Sequence, residues 1–181
     1  MAWISGNRYL TMDEMQNNVD IIHYYFITKG WTENAIAGML GNMQSESSIN
    51  PGIWEGLDAV ARGGYGLVQW TPYTKYADWA GDGWEDNGQK EMERIIYELE
   101  NGLQWGATSK YPMSFRDFTV SDKAPSYLAQ VWLYNYERPA SLNQPWRSTQ
   151  ADYWYQYISG HEPPKNIPIW LLIKMSKGGR S

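Results

Sequence analysis

Apolar residues recur at helical spacing through most of the chain. Met15, Val19, Ile22 and Phe26 step by four, three and four residues and so share one helix face. Thr11 with Glu14 three residues later forms a capping-box pattern, and Lys29-Gly30 closes the segment, which predicts a first helix over 11–28. Thr32 is a good N-cap for a second helix, with Ile36, Met39, Leu40 and Met43 on its stripe. That helix is expected to end around Ser45–Ser48, before the Asn50-Pro51-Gly52 turn.

The period is lost between Ile53 and Pro72. Gly56, Gly63, Gly64 and Gly66 punctuate this stretch, and Tyr65-Gly-Leu-Val-Gln-Trp70 has the character of a short strand or tight loop. A further loop is predicted at 81–88. Helical spacing returns at 89–103 through Met92, Ile95, Ile96, Leu99 and Leu103, at 123–136 through Leu128, Val131 and Trp132, and at 148–158 through Ala151, Trp154, Tyr155 and Ile158. The predicted fold is mainly α, an α+β domain over residues 1–160 with a small β-hairpin or loop excursion after the second helix. Residues 161–181 read as a Pro-rich linker followed by a short hydrophobic-basic tail. That tail either packs back on the domain or docks elsewhere, with Trp170 as its anchor.

Composition narrows the chemistry. The 181 residues suffice for one domain with a core. Absence of Cys removes disulfides, thiolate nucleophiles and thiolate metal sites, and two His leave little material for a zinc site or a Ser-His-Asp triad. No metal and no cofactor is therefore expected. A net charge of −5 argues against a nucleic-acid footprint. The start of the chain has no apolar stretch of signal-peptide type, and the apolar run Ile167–Ile173 is far too short for a membrane span. The aromatic residues are unusual: 11 Trp and 14 Tyr against 3 Phe, so nearly every ring carries a polar handle.

Among the acids, Glu46 is placed most informatively. It follows Met43 by three residues and Met39 by seven, so it extends the apolar stripe of the second helix. It also sits near the helix C-terminus, where the dipole disfavours a carboxylate. Both effects favour the neutral acid, the form a general acid needs. The alternative is an ordinary capping or ion-paired Glu at a helix end. Trp54, Tyr65, Gln69, Trp70 and Tyr73 follow closely, a set of rings and an amide suited to a carbohydrate cleft. Singly, each ring is better explained as core; together with Glu46 they point to glycoside cleavage.

Gly41-Asn-Met-Gln-Ser-Glu46-Ser-Ser-Ile-Asn-Pro51-Gly52 and Gly64-Tyr-Gly-Leu-Val-Gln-Trp-Thr-Pro72 resemble the phage tail lysozyme family. Gly30-Trp-Thr32 with Ala35-Ile36, Tyr136-Glu-Arg-Pro139, and Asn143-Gln-Pro145 leading to Ala151-Asp-Tyr-Trp-Tyr155 match as well, so the likeness covers roughly residues 8–160. It implies a lysozyme-like fold and an N-acetylmuramidase acting on peptidoglycan glycan strands, with Glu46 as general acid. A lytic transglycosylase, or a non-catalytic wall-binding or tail-assembly module of the same shape, is the alternative. Gln69 matches the motif lining the cleft, with Tyr65, Trp70 and Trp54 as sugar-gripping rings. Glu137 is expected to border the site, holding it together through Arg138 or another cation. Between Trp54 and Gly64 the sequence departs from the family pattern, and a second carboxylate, if one is used, comes from Asp58 or Glu55. The resemblance implies a place at the phage tail tip, with tail-knob proteins as partners of the C-terminal tail, or a free endolysin.

Overall fold

The computed structural model describes residues 1–160. Seven α-helices are defined among them: α1 Met12–Thr28, α2 Glu33–Ser47, α3 Thr74–Ala80, α4 Gly88–Glu100, α5 Phe115–Thr119, α6 Pro125–Trp132 and α7 Trp146–Ser159. The capping box of α1 is formed in both directions. Thr11 Oγ1 accepts from the Glu14 amide at 3.4 Å, and Glu14 Oε2 accepts from the Thr11 amide at 2.9 Å. Thr32 caps α2 by accepting from the Ala35 amide. The tail assigned to 161–181, with Trp170, lies outside the described residues.

The architecture is the mainly helical one expected, and it is organised around α2. Every residue from Ala35 to Met43 is buried, because α1, α6 and α7 pack around this helix. Close approach of α7 requires a glycine. A Cβ on Gly41 would lie 2.5 Å from the Arg147 carbonyl oxygen and 2.8 Å from the Ala151 amide nitrogen. The helix ends where Ser48 turns left-handed at φ 50°, ψ 37°.

After α2 the excursion contains two isolated antiparallel bridges, Trp54 with Tyr65 and Tyr65 with Trp70, and no sheet among the described residues. Side chains do the work that strand pairing would do. Ser47 Oγ, in the last turn of α2, donates to the Leu67 carbonyl at 2.9 Å. Glu91 Oε2 on α4 accepts from the Leu67 amide at 2.7 Å. Gly66 is at φ 78°, and a Cβ there would meet both Glu91 carboxylate oxygens at 2.6 Å. The loop is thus clamped between α2 and α4.

Two expectations change. Residues 74–80, which carry no apolar period, form α3. The helix predicted over 123–136 is α6 followed by a π-helical turn at Leu133–Glu137, closed by Arg138 at φ 51°, ψ 50°. In a π turn, residues five apart face one another. Trp132 Nε1 accordingly donates to Glu137 Oε1 at 2.7 Å.

Candidate active site

The end of α2, the 53–71 loop and the π turn surround a cleft of about 760 Å³. Glu46, Trp54, Gln69, Trp70 and Glu137 all line it, although Glu137 lies far along the chain from the others. Glu46 is one-fifth exposed, and its Oε1 lies 2.5 Å from Nη2 of Arg147. Arg147, in the first turn of α7, is only 4% exposed. Its remaining nitrogens are also satisfied: Nη1 donates to Asn42 Oδ1 at 3.0 Å, and Nε to Gln144 Oε1 at 2.7 Å. A buried guanidinium is tolerable only when fully paired in this way. Asn42 stands one turn before Glu46 on α2, so the approach of α7 over Gly41 fixes where the Glu46 carboxylate points.

Glu137 sits on the cleft lining in a different environment. Burial pushes its carboxyl well above the usual carboxylate range, the charge of Glu46 pushes the same way, and Arg147 and the Trp132 hydrogen bond oppose them. The expected pairing with Arg138 is not formed. Arg138, at φ 51°, instead donates from Nη2 to the Gln104 carbonyl at 2.8 Å.

Gln69, another positive-φ residue at 50°, turns its amide back into the loop, donating to the carbonyls of Ile53 and Gly66 at 3.1 and 3.0 Å. The aromatic side chains largely occupy one another. Trp54 is 7% exposed and meets Tyr65, Tyr73 and Trp84 with centroids 4.7, 5.2 and 5.9 Å apart, while Trp70 stacks on Tyr76 at 4.9 Å. Tyr65 is 1% exposed and does not line the cleft; its hydroxyl accepts from the Asp86 amide. A ring so enclosed cannot stack on a sugar, so Tyr65 supports the wall from behind, and Trp70, which borders the cleft but is only 2% exposed, has no free face for a sugar either. Asp58 is likewise outside the lining. Its Oδ1 accepts from the amides of Val60 and Ala61, which lowers its pKa and spends the carboxylate on an exposed turn. Glu55, the other second-carboxylate candidate, does line the cleft, with Oε2 accepting from the Gly64 amide at 2.9 Å.

The sequence profile of the phage tail lysozyme family matches residues 17–158, a span containing both Glu46 and Glu137. The chain belongs to the phage tail lysozyme family. It is similar to morphogenesis protein 1 of Bacillus phage B103, at 48% identity over 163 residues, covering 86% of this chain and 43% of that protein. The chain thus spans less than half the length of that relative.

Several further residues of the site lie outside the positions that the sequence pattern singles out. Tyr9, 64% exposed, offers the cleft an open ring, and Lys75 and Arg138 place cations on its lining. Nothing in the local sequence of Tyr9 or Lys75 sets them apart, whereas Arg138 belongs to the Tyr136-Glu-Arg-Pro139 motif. Arg147 was missed although it falls between two matched motifs. Two buried acids of α4 were also missed. Glu98 Oε1 accepts from Trp70 Nε1 and Arg94 Nε, both at 2.9 Å, and its Oε2 accepts from the Tyr136 hydroxyl at 2.5 Å. It joins the loop wall, through Trp70, to the π turn that bears Glu137. Glu91, Ile95 and Glu98 step by four and three, a signal that both acids face inward. Burial raises the pKa of each. Groups of His, Cys, Asp and Glu able to hold a metal are absent among the described residues.

Proposed function

We propose that this chain cleaves the glycan strand of bacterial peptidoglycan as an N-acetylmuramidase, locally opening the cell wall during phage infection or lysis. The observation that carries the reading is one constellation. Glu46, at the end of a buried helix and held by Arg147, opens into a 760 Å³ cleft bordered by Trp54, Gln69 and Trp70. Membership of the phage tail lysozyme family supports a lysozyme-like reaction there. Glu46 is the general acid: it protonates the oxygen bridging N-acetylmuramic acid and N-acetylglucosamine, an oxocarbenium-like centre develops, and water completes the hydrolysis.

A second reading is favoured by the relative's printed name, morphogenesis protein 1: a tail-assembly or wall-binding module that keeps the lysozyme shape. The two are separated by mass spectrometry of fragments released from purified peptidoglycan. A muramidase releases fragments with reducing N-acetylmuramic acid ends, a lytic transglycosylase releases anhydro ends, and a binder releases neither. Glu46→Gln should abolish turbidity loss on cell walls while the fold stays intact. Near-parental activity in Glu46→Gln would falsify the assignment. The proposed location is the virion tail tip, with tail-knob proteins as partners; a free endolysin would instead be absent from purified particles.

A further inference from the structure

We propose that Tyr9 is the sugar-stacking residue of the cleft, its ring face holding a pyranose of the glycan strand beside the bond that Glu46 protonates. This rests on the proposed glycan cleavage and names a substrate contact of the same site. Pyranoses of N-acetylated amino sugars present flat C–H faces, and an aromatic ring offers them a matching plane with a negative face. Among the described residues three rings line the cleft: Tyr9, Trp54 and Trp70. Two of them are already occupied. Trp54 is enclosed by Tyr65, Tyr73 and Trp84. Trp70 is stacked on Tyr76 and tied through Nε1 to Glu98. Tyr9 is exposed, and its side chain makes no ring contact and no hydrogen bond among the described residues.

An exposed ring by itself is an ordinary surface feature. Tyr9 differs because the backbone on both sides of it is fastened to the walls of the cleft. Ahead of it, Asn50 Nδ2 donates to the carbonyls of Gly6 and Arg8 at 2.7 and 2.6 Å. Behind it, the Leu10 amide donates to Ser48 Oγ at 2.9 Å, and the Leu10 side chain is buried. Ser48 and Asn50 stand just beyond Glu46 in the sequence, so the turn that ends α2 fixes both Glu46 and Tyr9. Asn7 ties the same segment to the loop wall. Its Oδ1 accepts from the Trp54 amide at 3.1 Å, and its Nδ2 donates to the Leu57 carbonyl at 2.9 Å. The Arg8 side chain is off the cleft lining, held by both Glu14 carboxylate oxygens at 2.8 and 2.6 Å.

A tyrosine has few torsions to freeze, and its backbone here is already held, so little of the contact energy is lost to ordering. The contact acts on binding and not on the chemical step. The ring meets the sugar in the ground state and in the transition state alike, so losing it should raise KM and leave kcat.

The test uses soluble, uncross-linked glycan strands prepared from peptidoglycan. Reducing-end release gives KM and kcat, and calorimetric titration in the Glu46→Gln background gives Kd. Tyr9→Ala and Tyr9→Leu should each raise KM about 3- to 10-fold, the scale of one ring contact, with kcat retained. Kd should move by the same factor. Tyr9→Phe keeps the ring and loses only a hydroxyl without a partner, so it should restore the parental KM. Melting temperatures should match the parent throughout, because the side chain is exposed. Unchanged KM and Kd in Tyr9→Ala would overturn the assignment while leaving glycan cleavage standing. A parental KM in Tyr9→Leu would overturn it too, since any apolar side chain would then serve in place of a ring. A fall in kcat alone, with a lowered melting temperature, would make Tyr9 a support of the Glu46 turn and likewise overturn it. If the parent releases no reducing ends, the glycan-cleavage reading fails by itself, and the titration still decides whether Tyr9 holds the strand.

Discussion

Replacing Glu98 by Ala should be among the most destabilising single changes in this protein. The Glu98 side chain is 1% exposed and accepts three hydrogen bonds, from Trp70 Nε1, Arg94 Nε and the Tyr136 hydroxyl. Truncation strands all three donors. An unsatisfied buried donor costs about 1–3 kcal/mol, and a buried cation that loses its partner about 3–5 kcal/mol. Arg94 is one-tenth exposed and also lies over the rings of Trp79 and Tyr97, so it takes the lower end of that range. The loss comes to about 5 kcal/mol, comparable with the whole stability of many domains. Urea unfolding of parent and variant, followed by far-UV circular dichroism and extrapolated linearly, measures it. Glu98→Gln keeps the shape and one strong acceptor and should lose only ~1–3 kcal/mol. Glu100→Ala, on the exposed side of α4, should leave the midpoint unchanged. A loss below ~1 kcal/mol for Glu98→Ala would show that water replaces the carboxylate and that the three-donor junction holds nothing together.

Stability should fall as pH rises above about 4.3, the unfolded carboxylate value, because Glu91, Glu98 and Glu137 all have raised folded-state pKa values. The folded protein keeps these protons while the unfolded chain releases them. The penalty grows until pH passes the folded values. Glu91→Gln removes its share, so urea midpoints taken between about pH 5 and pH 8 should decline less steeply than in the parent; an unchanged slope refutes this. Gly41→Ala should force α7 away from α2, at about 1–3 kcal/mol or more, and displace Arg147 from Glu46. It should lower the melting temperature and wall hydrolysis together, and an unaltered melt would refute the close approach.

The long helices were legible because each seals one apolar face against the core. The spacing of Met15, Val19, Ile22 and Phe26, and that of Ile36, Met39, Leu40 and Met43, corresponds to residues that are buried. Thr11 and Thr32 marked the helix starts through local hydrogen bonds that need no distant partner. Short elements were not legible. α3 has seven residues and α5 has five, too few for a 3.6-residue period to declare itself.

Glu46, Gln69, Trp54 and Trp70 could be read together because they lie close along the chain, and the tertiary structure does bring them to one cleft. Tyr65 shows the limit: a ring beside a motif has the same local sequence whether it faces solvent or core. It faces the core, 1% exposed.

The sequence by itself determined the helical class, the main helix positions and the prominence of Glu46, since periodicity and capping are local properties. Only the tertiary structure decided the charge arrangement of the site. Arg147 reaches Glu46 because a glycine lets α7 settle on α2, and Glu137 reaches the same cleft because a π turn brings it round beneath Trp132. Coulomb energies and desolvation depend on distances between residues remote in sequence, so the partner of each carboxyl follows from packing and not from spacing along the chain.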